Sequence, residues 1–159
     1  MKVLLSIKPE YSQKIFSGEK KYEFRRRRPK STVEVVIVYE SSPIRNIVGG
    51  FTVKRIHSGS PNAIWEKCKR SSGINKDDYM NYCEGLSVVY AFEIEETFKF
   101  EKPMNPFEMM SAFKPPQSFL YLDGSVIDEF IENCSVASSP KNISEDREPN
   151  KFKPLSFFP

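Results

Sequence analysis

Several common chemistries have no residues to work with in this chain of 159 residues. It carries one histidine, His57, with no Cys or carboxylate at ligand spacing beside it, and such a residue is more often structural than a metal ligand or general base. Its three cysteines, Cys68, Cys83 and Cys134, lie far apart and form no CxxC pair, which argues against a disulfide framework and a zinc site and fits a reducing, intracellular setting. A phosphate-cradling glycine loop, a dinucleotide fingerprint, a GxSxG elbow and an HExxH helix are all missing, so neither metal nor other cofactor is expected. Nowhere do eighteen apolar residues run together, and the first apolar run, Val3 to Ile7, meets Lys8-Pro9 too early for a signal peptide. A cytoplasmic monomer that does not engage membranes is the expectation. Net charge is only +3, so no global basic field exists and any pull on nucleic acid must come from clustering.

Such a cluster is present. The stretch from Glu19 to Lys30 holds seven of the 24 basic residues: Lys20, Lys21, Arg25, Arg26, Arg27, Arg28 and Lys30. Tyr22 and Phe24 alternate with charges as in a half-buried strand, so Tyr22, Phe24 and Arg26 should share a core face while Lys21, Glu23, Arg25 and Arg27 present charge on the other. A carboxylate among cations on a strand is either a surface ion pair, contributing about 0–1 kcal/mol, or the polar floor of a site for phosphates and bases. Consecutive guanidinium forks match phosphate geometry, which favours the second reading.

Around this stretch the elements follow from local chemistry. Val3 to Ile7 is a buried strand, Pro9 sits at the first position of a helix with Tyr11, Ile15 and Phe16 on one face, and Gly18 stops it. Val33 to Tyr39 is almost wholly β-branched and reads as a central strand covered on both faces. Asn46 to Ile56 is another strand, with Gly49-Gly50 marking a bulge or close backbone approach that helps a sheet curl. Ser60-Pro61 caps a helix bearing Ile64, Trp65 and Cys68, Trp65 being a core residue, and Asn75 opens a short helix that Gly85 closes. Leu86 to Phe100 is the longest strand signal, bending near Glu96; Pro103 and Pro106 punctuate a loop, and Pro115 to Leu122 returns extended. Val126, Ile127, Phe130 and Ile131 mark a last amphipathic helix ending near Cys134. The expected division is a domain over 1–134 and a polar tail over 135–159 whose aromatic end, Phe152 to Pro159, docks on this domain or a protein partner or stays unstructured.

Three separated blocks then carry a resemblance. Ser6-Ile7-Lys8-Pro9-Glu10-Tyr11 through Gly18-Glu19-Lys20 to Tyr22-Glu23-Phe24-Arg25, then Tyr39-Glu40-Ser41-Ser42-Pro43 with Val48-Gly49-Gly50-Phe51, and Pro115-Pro116-Gln117-Ser118-Phe119-Leu120-Tyr121 resemble the ASCH domain of the PUA-like superfamily. The match runs in order over residues 2 to about 122 and leaves out the tail.

This resemblance implies an α+β fold, a small curled mixed β-sheet or β-barrel of about six strands with flanking short helices, and a cleft at the helix-one/strand-two junction that accepts RNA or a nucleotide. Arg25 and Arg27 would engage phosphate, Lys20 or Lys21 would add a point charge, and Gln117, Ser118 and Tyr121 would approach a base or sugar. For Gln117 and Ser118, capping of a turn after Pro115-Pro116 is an equal reading. Some members of the wider family hydrolyse RNA or the acetyl group of acetylated cytidine with a Lys, a Thr nucleophile and a Glu. Here Lys20 matches the lysine, Glu23 stands where the threonine belongs, and Glu66, Asp77 and Asp78 are the acids available. The alternative to an RNA reader is thus a hydrolase acting on RNA or a modified nucleoside through Lys20 and Glu23. A second alternative is a protein-interaction module built on the arginines and the aromatic tail.

Overall fold

The computed structural model describes residues 1–124 and the pair Val136–Ala137. In chain order the elements are β1 (Lys2–Ile7), α1 (Pro9–Phe16), β2 (Tyr22–Arg25), β3 (Val35–Glu40), β4 (Asn46–Gly59), α2 (Pro61–Cys68), α3 (Lys76–Tyr82), β5 (Val89–Met104), α4 (Pro106–Met109), β6 (Leu120–Leu122) and β7 (Val136–Ala137). Six strands form a sheet in the order β2-β5-β4-β3-β1-β6, and β7 pairs the second half of β5. β1 and β3 run parallel while the other pairs are antiparallel, so the sheet is mixed. The result is the expected α+β fold, a curled half-barrel with short helices.

Curling has an identifiable cause. The pairing of β4 with β5 shifts register at Ile47/Gly49 and twice more near Val53. At Gly49 an added Cβ would stand 2.2 Å from Phe98 O, and at Gly50 2.3 Å from Val36 O, so only glycine lets β3, β4 and β5 approach this closely. The bend opposite Val53 lies at Ile94 to Thr97, where the alternation changes phase.

β5 differs from its expected bounds. Leu86 spends its N–H on Cys83 O in the turn after α3, so its apolar side chain packs there and pairing begins at Val89. At the far end β5 runs past Pro103, because between Lys99↔Gly49 and Met104↔Ile47 the strand bulges and the missing proline N–H breaks no ladder bond. The expected helix over Val126–Ile131 lies outside the described residues, as does the tail beyond Ala137.

Three apolar clusters wrap the sheet. The concave one contains Val3, Leu5, Val36, Val38, Phe51 and Phe92, sealed by Ile15 of α1. On the convex side, Leu4, Ile37 and Tyr39 pack under Phe113 and Met104, and Phe24, Val89 and Ala91 pack against Trp65, Tyr79 and Cys83 of α2 and α3. β3 is therefore covered on both faces, and Trp65 is a core residue. Full burial of Phe51 and Phe92 stabilises the concave core by about 1.5–3 kcal/mol each.

Candidate functional site

The strand β2 is an edge of the sheet, and its period of two separates two environments. Tyr22 and Phe24 face the cluster beneath α2 and α3, as their spacing implied. Glu23 lies opposite Phe92 and Arg25 opposite Tyr90, both of which pack on the concave core, so these two charges point into the half-barrel. Here the expectation of a charge-presenting face needs correction: Glu23 and Arg25 are only 8% and 9% exposed, Arg25 lying against β1 and Glu23 against Lys20 and Arg25.

Lys20 reaches the same group from the turn after α1. Gly18, at φ 83°, ends the helix, and the Lys20 N–H donates to Lys14 O at 2.9 Å, turning the chain sharply inward. The Lys20 amine is buried, donates to Ser72 O at 2.7 Å and lies 3.7 Å from Glu23 Oε2. It also stands 4.7 Å from the Phe24 ring centre and 5.5 Å from that of Tyr11. Burial pushes its pKa down, Glu23 opposes this, and Arg25 adds to the lowering.

Arg25 bridges the open side of the half-barrel. Its Nη2 donates to Ser6 O on β1 at 3.1 Å and lies 3.2 Å from Glu23 Oε1. Its Nε–H is buried and has no acceptor among the described residues, and neither has the neighbouring Ser6 Oγ. Two buried basic groups thus share one carboxylate, with donor capacity left over.

The remaining residues of the sequence-based site divide. Lys21 has an exposed side chain, its backbone being tied to Ser71 O and Ile94 N–H. Arg27 is exposed beyond the end of β2, and Arg26 lies over the Tyr82 ring at 6.0 Å and donates to Glu84 O. Tyr121 and Ser118 are half-buried and Gln117 is exposed. Phe119 stacks obliquely on Phe92 at 6.0 Å and on Tyr121 at 6.2 Å, which carries segment 119–121 to the concave side shared by Glu23 and Arg25. Tyr121 Oη accepts the Lys30 N–H at 2.6 Å, a second tie across the open side.

Sequence reading passed over Ser6, Tyr11, Tyr90 and Phe119 as site residues, and the connection Ser71–Gly73 that covers Lys20. Tyr11 had a helical periodicity that also suits plain packing; Ser6 acts through its carbonyl, which no side-chain pattern encodes. Glu66 and Asp77 are exposed, Glu66 pairing with Lys69, and Asp78 is bonded to its own cap residue Asn75. His57 Nε2 lies 2.7 Å from Glu93 Oε2 on the convex face, a cross-strand partner invisible to local spacing. Among the described residues, no helix is long and apolar enough to cross a membrane.

Comparisons with known proteins agree with the fold. A family model described as the ASCH domain matches residues 5–104. An ASCH domain-containing ribonuclease of Zymomonas mobilis is 29% identical over 126 residues, spanning 75% of this chain and 82% of that protein. A large ribosomal subunit protein of Ureaplasma parvum is 31% identical over 121 residues, but the match takes up only 39% of that longer protein. The crystal structure of ASCH from Zymomonas mobilis superposes with a TM-score of 0.77 at 26% identity, covering 84% of this chain and 96% of that one.

Proposed function

The chain belongs to the ASCH domain family, and from that premise we propose that it binds RNA across the concave side of its sheet, with Arg25 as phosphate anchor. The observation that carries this reading is the Arg25 guanidinium, buried, oriented by Ser6 O and Glu23, and left with an Nε–H that no group among the described residues accepts. Buried donors are nearly always paired, and a phosphate oxygen completes this one with a charge-assisted bond. Tyr11, Tyr90, Phe119 and Tyr121 are half-buried aromatics on the same core and offer stacking faces to unpaired bases. Exposed Lys21 and Arg27 add cations at the entrance. That the homologous Zymomonas protein is a ribonuclease by name supports RNA as the anion here.

Fluorescence anisotropy of a labelled single-stranded RNA tests this. Arg25→Ala should weaken binding about 10–100-fold, the equivalent of losing about 1.5–3 kcal/mol of charge-assisted hydrogen bonding. Unchanged affinity would overturn the assignment.

A second reading, RNA cleavage, is favoured by the Lys20 amine held beside Glu23 with a depressed pKa. In this reading a ribose 2′-hydroxyl attacks the adjacent phosphorus and yields its proton to the neutral Lys20 amine. The bond from phosphorus to the 5′-oxygen breaks, that oxygen takes up a proton, and a 2′,3′-cyclic phosphate and a 5′-hydroxyl result. Arg25 stabilises the charge gathering on the phosphoryl oxygens. Acetylated cytidine is the less suited substrate, because position 23 offers a carboxylate tied to two cations where a hydroxyl nucleophile is required. Mass spectrometry of RNA and acetylated cytidine after incubation separates these outcomes, and products that persist in Lys20→Ala would remove Lys20 from the chemistry.

A further inference from the structure

Besides Phe24 of β2 and Tyr11 of α1, Lys20 is covered by residues arriving from about fifty positions away. Successive carbonyls of the connection between α2 and α3 each accept from a different lysine: Ser71 O from the Lys21 N–H at 2.8 Å, Ser72 O from Lys20 Nζ at 2.7 Å, and Gly73 O from Lys14 Nζ at 3.0 Å. Ser72 is itself buried, and its Oγ donates to Ile74 O at 2.9 Å, which fixes the turn from behind. Gly73 stands at φ 65°, in the left-handed region, and a Cβ there would lie 2.6, 2.8 and 3.0 Å from Cβ, Cγ and Cδ of Lys20. Those atoms are the rooted part of the side chain and have little room to yield. Glycine is required at position 73 by its backbone and, independently, by the lysine stem beneath it.

We propose that Ser71–Gly73 is a positioning element for the Lys20 amine, pinning it against Glu23 and keeping water from it, and that Gly73 is the residue on which this depends. The inference rests on the cleavage reading above. The groups facing Lys20 are Glu23 and Arg25 from β2, Lys14 and Tyr11 from α1, and Cys68 from α2. Of these influences and burial, burial is the largest, and it lowers the lysine pKa. The connection lies directly on the Lys20 stem and amine, so displacing it readmits water and returns the amine toward ordinary lysine behaviour. A base that must be neutral then becomes available only at higher pH.

The test compares Gly73→Ala and Gly73→Asn with Gly85→Ala. Gly85 has a similar φ of 74° but nothing within 4 Å of its would-be Cβ, so it reproduces the backbone strain without the contact. Asn tolerates the left-handed conformation and so keeps the contact with less strain. The readouts are the Lys20 amine titration by NMR in lysine-labelled protein, the pH profile of RNA cleavage, and RNA affinity. Both position-73 variants are expected to raise the Lys20 titration midpoint, move the cleavage profile to higher pH and lower the rate at neutral pH about tenfold or more. RNA affinity should stay within about twofold, and Gly85→Ala should move neither titration nor profile. A Lys20 midpoint unmoved by the position-73 variants, or moved equally by Gly85→Ala, overturns the proposal. If the wild type cleaves no RNA, the cleavage reading fails by itself, while the NMR midpoint still decides whether the connection governs Lys20.

Discussion

Two ion clusters sit almost back to back on neighbouring strands. Glu23 faces Phe92 on the concave side, and Glu93, one residue further along β5, faces Tyr22 on the convex side. Glu93 is shared by His57 Nε2 at 2.7 Å and Lys54 Nζ at 3.4 Å, and Glu23 by Lys20 at 3.7 Å and Arg25 at 3.2 Å. The inventories are alike, one carboxylate between two nitrogen bases, but the surroundings are not. The Lys54 side chain is 55% exposed and open to solvent, whereas that of Lys20 is 3% exposed and Arg25 retains a buried donor with no partner among the described residues. A cluster that satisfies itself holds strands together. One that is buried and left with a spare donor is, on the reading proposed above, where an anion would bind.

Substitutions should split the two clusters cleanly. Lys20→Ala should lower RNA cleavage by about 10²–10⁴-fold, the usual worth of a general acid or base, whereas Glu93→Gln should leave it within about twofold, as expected for an independent site; steady-state rates on one oligonucleotide decide this. A smaller contrast concerns salt. Arg25→Ala should reduce the slope of log affinity against log salt by about 0.7, the contribution of one phosphate contact on a single strand, and Lys54→Ala should leave the slope intact in the same anisotropy titrations.

The clusters should also differ in acid. The hydrogen bond from His57 is the main cause that holds the Glu93 carboxyl below its ordinary value of 4.5. A carboxylate with a depressed folded pKa contributes stability that is present above its unfolded pKa and lost as pH falls through the folded one. Glu93→Gln should therefore cost on the order of 1 kcal/mol at neutral pH, with the gap to wild type closing in the acid range below 4.5; urea unfolding at several pH values measures it. The smallest effect is assigned to Arg27→Ala, which removes an exposed cation and should weaken RNA binding by less than about fivefold, since one solvated contact adds little.

Much of the scaffold was legible because the signals are local. Proline at the first helical position in α1 and α2, the Ser60 and Asn75 caps, the β-branched run of β3 and the Gly49-Gly50 kink each act within a few residues of themselves. Strand alternation also assigned Glu23 and Arg25 to a common face. It did not show that this face is interior, because that depends on contacts distant in sequence, such as Arg25 with Ser6 O of β1. Nor did it distinguish Lys20 from Lys21, adjacent lysines of which one is covered by Ser71–Gly73 and the other exposed. His57 and Glu93 are 36 positions apart and meet only through the register of β4 on β5. Contacts of that range depend on the whole topology, and the chain spacing of charges does not encode it.

The most direct test of the concave reading is a backbone NMR titration of the protein with a short single-stranded RNA. Perturbed amides should gather at Ser6, Tyr11, Arg25, Tyr90, Phe119 and Tyr121, while Lys54, His57 and Glu93 stay unchanged. Perturbations centred on the Lys54–His57–Glu93 face, with the Arg25 surroundings silent, would contradict it.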